Sequence, residues 1–187
     1  MPKHHRHSIR LNHYDYFQPG AYFITICTHN RKCMLGNIVN GEMRANKFGR
    51  IIETEWLKTP QIRKNVELDE YVVMPNHFHA ILFIIRRGVL QYAPTNKFRS
   101  PSQTIGSIVR GFKSAVTKRT NKLRNTPGIP VWQRNYYERV VRNENELNRI
   151  REYIQNNPLK WELDRENPKS ENFNLDHDLY WREIYER

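Results

Sequence analysis

Two histidines separated by one residue, His77 and His79, are the side chains of this sequence whose type and spacing best suit metal binding. They lie in an apolar run over residues 71–85, in which residues 77–85 are predicted to form a strand. Side chains alternate across a strand, so both imidazoles point to the same face. Burying two such polar rings is costly without partners, and a metal ion is the partner that takes both. The alternative is a pair of core histidines satisfied by backbone carbonyls.

A tyrosine and an asparagine four residues apart, Tyr153 and Asn157, form a second candidate group. Apolar spacing and a capping Asn143 predict a helix over residues 143–157, which Pro158 ends. Residues four apart lie on one helix face, so the hydroxyl and the amide are presented together. If this helix packs near the histidines, Asn157 supplies an oxygen ligand and Tyr153 lies one turn away. The alternative makes Tyr153 a packing residue and Asn157 a helix-end residue.

The two groups together predict phosphoryl-transfer chemistry. A divalent ion held by two imidazoles and an amide keeps positions open for phosphate oxygens and water. A tyrosine that attacks a phosphodiester forms a covalent phosphotyrosine. That bond conserves the energy of the broken linkage, so rejoining needs no nucleotide cofactor. The ion would polarise the phosphate and orient it for in-line attack by the tyrosine.

The composition predicts a polyanionic partner, because the 187 residues carry a formal net charge of +12. Residues 162–187 hold eight acids and four bases, a net charge of -4, so the other residues carry +16. No apolar run reaches the ~18 residues of a transmembrane helix, and the N-terminus lacks the apolar segment of a signal peptide. We therefore expect a cytoplasmic protein with no membrane partner, in which Cys27 and Cys33 are reduced thiols.

Positive charge is densest on a helix predicted over residues 102–124, a span that contains no acid. A charged helix face is usually only solvated, but solvated faces normally mix the two signs. Six bases without an acid favour phosphate binding instead. We predict that this helix lies next to the site and binds the nucleic acid through Arg110, Lys113, Lys118, Arg119, Lys122 and Arg124.

The predicted elements follow the order strand, helix, strand, strand, helix, strand, helix. This order predicts an α+β fold, a ferredoxin-like split βαβ unit with a central antiparallel sheet, an added N-terminal hairpin at Asn40-Gly41 and a C-terminal catalytic helix. The first two helices would cover one face, and the other would be free to carry a site. The predicted strands span 21–28, 68–74, 77–85 and 131–141, and the predicted helices span 46–58, 102–124 and 143–157.

Residues 1–163 are predicted to form one domain with a basic N-terminal arm, and residues 164–187 an acidic C-terminal extension. The polar composition from Asp164 to Asp178 marks the start of this extension as a loose segment. Residues 86–101 have no clear period and are predicted to be a loop.

Four segments resemble the REP-associated tyrosine transposases, single-tyrosine transposases of the HUH endonuclease superfamily. They read VVMPNHFH, GFKSAVT, VWQRNYYER and EYIQNNPLKW, in the family's order, and the likeness spans roughly residues 8–163. The resemblance implies that His77 and His79 are the paired metal ligands, that Tyr153 is the nucleophile and that Asn157 is the third ligand. It also implies Mg²⁺ or Mn²⁺, a single-stranded DNA partner that folds into hairpins, and a 5′-phosphotyrosine beside a free 3′-hydroxyl. Such an enzyme would be bacterial and nucleoid-associated when bound to DNA.

Some alternatives stay open at the level of sequence. Tyr136 and Tyr137 are rival nucleophiles, although a predicted strand with no ligand-type residue at helical spacing favours a structural or DNA-stacking role. The alternative function is a non-catalytic nucleic-acid-binding module with the same fold, which would not need paired histidines or the tyrosine–asparagine pair. Tyr153 could act on its own chain's histidines or across a homodimer; the protein is expected to form a homodimer or to remain a monomer.

Overall fold

A four-stranded antiparallel sheet is the centre of the computed structural model, which describes residues 18–85 and 104–173. The elements are β1 (Gly20–Cys27), β2 (Gly36–Val39), β3 (Glu42–Ala45), α1 (Lys47–Leu57), α2 (Thr59–Ile62), β4 (Val66–Val73), β5 (His77–Ile84), α3 (Ile105–Arg124), β6 (Tyr137–Val141) and α4 (Glu144–Asn156). The strand order is β4-β5-β1-β6, and β2 and β3 form a separate hairpin. The predicted ferredoxin-like α+β fold with an added hairpin is confirmed.

The side chains of β1 and β5 divide between two apolar cores, because neighbouring residues of a strand face opposite ways. Phe78 points to the core beneath α1 and α3, where its ring lies 5.1 Å from Trp56 and 5.3 Å from Phe112, between centroids. The opposite face presents Phe23 and Ile81 to α4. Phe78, which lies between the two histidines in sequence, therefore packs β5 against the core on the opposite face of the sheet.

Side-chain caps begin the main helices. The Asn46 side chain accepts hydrogen bonds from the backbone N–H groups of Phe48 and Gly49 at the start of α1. At α4, Asn143 Oδ1 accepts from the N–H of Glu146 at 2.8 Å, as predicted from the sequence. Pro60 ends the apolar pattern of α1, but it also lies in the first turn of α2. Proline is tolerated there because the N–H groups of a first helical turn have no partner within the helix.

The strand predicted over residues 131–141 is shorter, and its ladder runs only from Tyr137 to Val141. Trp132 makes one isolated bridge to Thr28. The ammonium of Lys113 donates to the carbonyls of residues 133, 134 and 135 at 2.7, 3.1 and 3.4 Å. These carbonyls face α3 rather than a neighbouring strand, so the segment forms a loop.

Some predictions fall on residues that the structure does not describe. The loop predicted at 86–101, the basic arm over residues 1–7 and the extension beyond residue 173 lie outside the described residues. Within residues 18–85 and 104–173, the search for a helix long and apolar enough to cross a membrane finds none.

Candidate functional site

His77 and His79 lie on β5 with both rings on the face that α4 covers. Their ring centroids are 4.4 Å apart, and the residues are 0% and 1% exposed. In the neighbouring strand β1, Cys27 lies opposite His77 and Thr25 lies opposite His79. The two-residue period of the strand therefore brings the imidazoles together, as the sequence predicts.

Asn76 fixes the proton position of the His77 ring. Its Nδ2 donates to the carbonyls of Arg31 and Glu166 at 3.0 and 2.6 Å, so its Oδ1 is left as the acceptor. This Oδ1 lies 2.9 Å from His77 Nδ1, which therefore carries the proton. Nε2 of His77 is buried without a hydrogen-bond partner, and in the neutral ring it presents a lone pair.

His79 links the sheet to the tyrosine of α4. Its Nδ1 lies 2.8 Å from Thr25 Oγ1, and its Nε2 lies 3.2 Å from the hydroxyl of Tyr153. Burial, and then the neighbouring His77, lower the pKa of His79 well below its ordinary value of 6.5. The ring is therefore neutral, which is the form that can bind a metal ion.

Tyr153 reaches the histidines because α4 packs its apolar stripe on this face of the sheet. Leu147, Ile150 and Ile154 of the helix are buried against Phe23 and its neighbours. The Tyr153 ring lies edge-on to Phe23, with centroids 6.3 Å apart. The prediction that a tyrosine is presented to the sheet beside the histidines matches this geometry within one chain.

Asn157, at the end of α4, lies at the same site but is not bonded to a histidine. It is 1% exposed, and its Nδ2 donates to Asp164 Oδ2 at 2.9 Å. Its Oδ1 is buried with no hydrogen-bond partner. A buried amide oxygen without a donor is costly, so this atom is a candidate metal ligand.

Asp164 is the residue of the site that the sequence interpretation missed. It is 2% exposed, and its Oδ2 lies 3.9 Å from His77 Nε2. Sequence gave no signal for it, because it stands in an acidic segment without apolar periodicity. The idea of a loose extension starting at Asp164 is wrong for its first residues, since residues 164–167 and Ser170 are buried. Whether residues 164–187 form a distinct extension stays a prediction.

Three of these residues could hold a metal ion. Ligand-type atoms of His77, His79 and Asp164 all lie within 4.8 Å of one another, and all three residues are buried. The partnerless atoms His77 Nε2 and Asn157 Oδ1 add to the fit. Imidazole nitrogens and oxygens are donors that divalent ions such as Mn²⁺ accept.

The prediction that the basic helix lies next to the site is wrong, whereas the prediction that the first two helices cover one face of the sheet and leave the other for the site is confirmed. α3 packs through Ile108, Val109 and Phe112 on the core that contains Phe78, which is the face of the sheet opposite the histidines. Helices that cross over between parallel strands of this fold lie together on one face, and α4 takes the other. A strand of nucleic acid bound to α3 therefore does not lie directly beside the site.

The six bases predicted for DNA binding also differ in their partners. Lys113 holds the loop before β6, Arg119 pairs with Glu55, and Arg124 bonds to Asn121 Oδ1 and the Ile129 carbonyl at 3.0 Å each. Among the described residues, the other three make no ion pair, and all three are exposed: Arg110, Lys118 and Lys122.

An extra residue in β4 ties this strand to α4. Leu68 pairs with Leu82 and Tyr71 with Ala80, so a bulge at residues 69–70 turns two carboxylates toward the helix. Arg151 donates from Nε and Nη2 to the two oxygens of Asp69 at 3.0 and 2.7 Å. This bidentate pair lies half a turn before Tyr153 and helps to fix the helix.

Arg151→Met is expected to lower the free energy of unfolding by about 1 kcal/mol at neutral pH, because the pair is partly exposed. The hydrogen bonds from Arg151 hold the pKa of Asp69 below its ordinary value of 3.8. A lowered folded-state pKa stabilises above the unfolded value, and this contribution disappears as the pH falls through the folded one. Urea denaturation at neutral and acidic pH measures the difference, with exposed Arg50→Met as control. An equal loss at both pH values would contradict the assignment.

No protein-family model matches the chain. An uncharacterized protein of Haemophilus influenzae is 46% identical over 169 residues, covering 87% of this chain and 93% of that one. The structure of a REP-associated tyrosine transposase bound to a REP hairpin matches with a TM-score of 0.55 and 20% identity, over 81% of this chain and 74% of that one. The first likeness shows a common family, and the second shows a common fold.

Proposed function

Since the chain belongs to the family of the Haemophilus influenzae protein and has the fold of a REP-associated tyrosine transposase, we propose that it is a transposase that nicks and rejoins single-stranded DNA. The observation that carries the proposal is the hydroxyl of Tyr153, 3.2 Å from His79 Nε2 in a buried group of metal-ligand side chains. A non-catalytic binding module offers no reason for this arrangement.

Tyr153 acts as the nucleophile. Its phenolic oxygen attacks a phosphodiester phosphorus, a P–O bond to the tyrosine forms, and the bond from phosphorus to the 3′-oxygen breaks. The phenol gives up its proton, and the departing 3′-oxygen takes up a proton to become a free hydroxyl. Attack by a 3′-hydroxyl on the resulting 5′-phosphotyrosine reverses these steps and rejoins the strand without a nucleotide cofactor.

His77, His79 and Asn157 hold a divalent ion, Mg²⁺ or Mn²⁺. When bound, the ion polarises the scissile phosphate and neutralises charge that develops on it. Asn76 and Thr25 orient the two imidazoles through hydrogen bonds of 2.9 and 2.8 Å to their Nδ1 atoms. The α4 helix keeps Tyr153 and Asn157 on one side of the site.

The DNA partner is a single strand that carries a hairpin. An open groove of about 500 Å³ lies between α3 and the loop before β6 and is lined in part by Lys118, Asn121 and Arg134. Together with exposed Arg110 and Lys122, the basic side chains of Lys118 and Arg134 can neutralise phosphates of the hairpin. The groove adjoins β6, an edge strand of the sheet, so a strand leaving it can pass around this edge to Tyr153.

The active site is complete in a single chain, with Tyr153 acting on its own histidines. Either a monomer or a homodimer in which each copy works separately satisfies this arrangement. The protein acts in the bacterial cytoplasm, on the nucleoid, because its substrate is DNA.

An adduct assay tests the proposed function. The protein is incubated with a hairpin-bearing single strand and Mn²⁺, and the products are separated under denaturing conditions. We expect a protein–DNA adduct that forms on the hairpin strand, that is absent with a strand of equal length without a hairpin, and that is lost in EDTA. Tight binding without any adduct would favour the non-catalytic module instead.

A further inference from the structure

The carboxylate of Asp164 faces an imidazole nitrogen across a gap that no hydrogen bond spans. Asn76 takes the Nδ1 side of the His77 ring, and Nε2, which has no hydrogen-bond partner, faces Asp164 Oδ2 at 3.9 Å. This distance exceeds that of an N–H···O hydrogen bond. Two bonds of about 2.1 Å each, typical of Mg²⁺, would span it. A divalent ion between these two buried atoms would be bonded to both.

We propose that Asp164 is a ligand of the divalent ion, together with His77 and His79. The inference rests on the proposed function for the presence of an ion. It changes the donor set from two imidazoles and an amide to one that also includes a carboxylate, supplied from beyond α4.

The carboxylate is held in this orientation by its own hydrogen bonds. Asp164 Oδ1 accepts from the N–H of Glu166 at 2.6 Å, and Oδ2 accepts from Asn157 at 2.9 Å. Oδ2 can accept one further contact, and His77 Nε2 lies 3.9 Å from it. Among the described residues, no lysine or arginine forms an ion pair with Asp164, so the basic group that this buried carboxyl faces is the imidazole of His77.

The segment that carries Asp164 is fixed to the strand that carries the histidines. Glu166 forms an ion pair with Arg31, with Nε and Oε2 2.6 Å apart. The same Asn76 that orients His77 donates to the carbonyl of Glu166 at 2.6 Å. One side chain therefore positions both the imidazole and the segment, which is the kind of outer support that metal ligands need.

Titration of the full-length protein with Mn²⁺ by calorimetry tests this inference. We expect Asp164→Asn, which keeps the size of the side chain, to weaken Mn²⁺ binding by at least about 100-fold, because it removes a charged ligand rather than a supporting group. Glu162→Gln removes an exposed carboxylate two residues earlier and is expected to bind Mn²⁺ as the unaltered protein does. Unchanged affinity in Asp164→Asn, beside lost affinity in His77→Gln, would overturn the inference and leave the proposed function standing.

A second variant separates ligation from a merely structural role of Asp164. Asp164→Cys loaded with Co²⁺ should show a thiolate-to-metal charge-transfer band that the unaltered protein lacks, because a coordinated thiolate gives such a band. A Co²⁺-loaded variant without the band would overturn the inference. The band together with DNA adducts that persist in Tyr153→Phe would support Asp164 as a ligand but remove Tyr153 as nucleophile. No Mn²⁺ site at all in the unaltered protein would refute both proposals.

Discussion

Tyr153→Phe is expected to abolish the covalent DNA adduct, with a fall in adduct formation of at least about 1000-fold, because the attacking oxygen is removed. The affinity for the hairpin strand should stay within about twofold of the unaltered protein's, since it comes mainly from contacts between lysine or arginine side chains and phosphates. The ring keeps its packing against Phe23, so the fold should be preserved although the contact of the hydroxyl with His79 is lost. A denaturing gel measures the adduct, and a mobility shift measures the binding.

The matched controls for this variant are Tyr136→Phe and Tyr137→Phe. Tyr136 donates to Glu138 Oε2 at 2.5 Å and packs with the core under α1 and α3, away from the histidines. Tyr137 lies on the same face as the site, in register with Thr25, so it is the stronger rival. An adduct that survives in Tyr153→Phe and disappears in Tyr137→Phe would move the nucleophile to β6.

Replacement of either histidine is expected to remove the metal and with it the adduct. His77→Gln and His79→Gln should each weaken Mn²⁺ binding by at least about 100-fold, since each deletes a ligand rather than a supporting group. Adduct formation at limiting Mn²⁺ should fall in parallel. Calorimetry with Mn²⁺ and the adduct assay over a range of Mn²⁺ concentrations measure the two effects.

His29→Gln is the matched control for the histidine variants, because His29 is exposed and lies outside the site. It should keep both Mn²⁺ affinity and adduct formation. The contradicting result would be that His77→Gln and His79→Gln, assayed in EDTA, form adducts as fast as the unaltered protein does with Mn²⁺. The reaction would then not use this group of residues as a metal site.

The fold could be predicted because its local patterns agree with its packing. The apolar periods, the Asn143 cap and the Asn40-Gly41 turn predict nearly every element and its type. Alternation along β5 also places His77 and His79 on one face, and helical spacing places Tyr153 with Asn157. These relations depend on residues close in sequence, so the sequence contains them directly.

The remaining features depend on contacts between distant residues. Asp164 reaches His77 only because Glu166 meets Arg31 and Asn76, and no spacing in the acidic segment predicts that contact. The carbonyls before β6 accept hydrogen bonds from Lys113, which lies 20 residues before the first of them. This contact makes the strand shorter than predicted. The placement of α3 on the face opposite the histidines follows from the handedness of the crossover, which the predicted fold already contains, and only the inference from its charge misplaced it.

The position of the covalent bond tests the central claim most directly. The adduct formed by the unaltered protein on a hairpin-bearing strand with Mn²⁺ is digested with nuclease and protease, and the modified peptide is identified by mass spectrometry. We expect a nucleotide joined through its 5′-phosphate to Tyr153, in the peptide of α4. A phosphate bond on Tyr136, on Tyr137 or on a residue other than tyrosine would contradict the account.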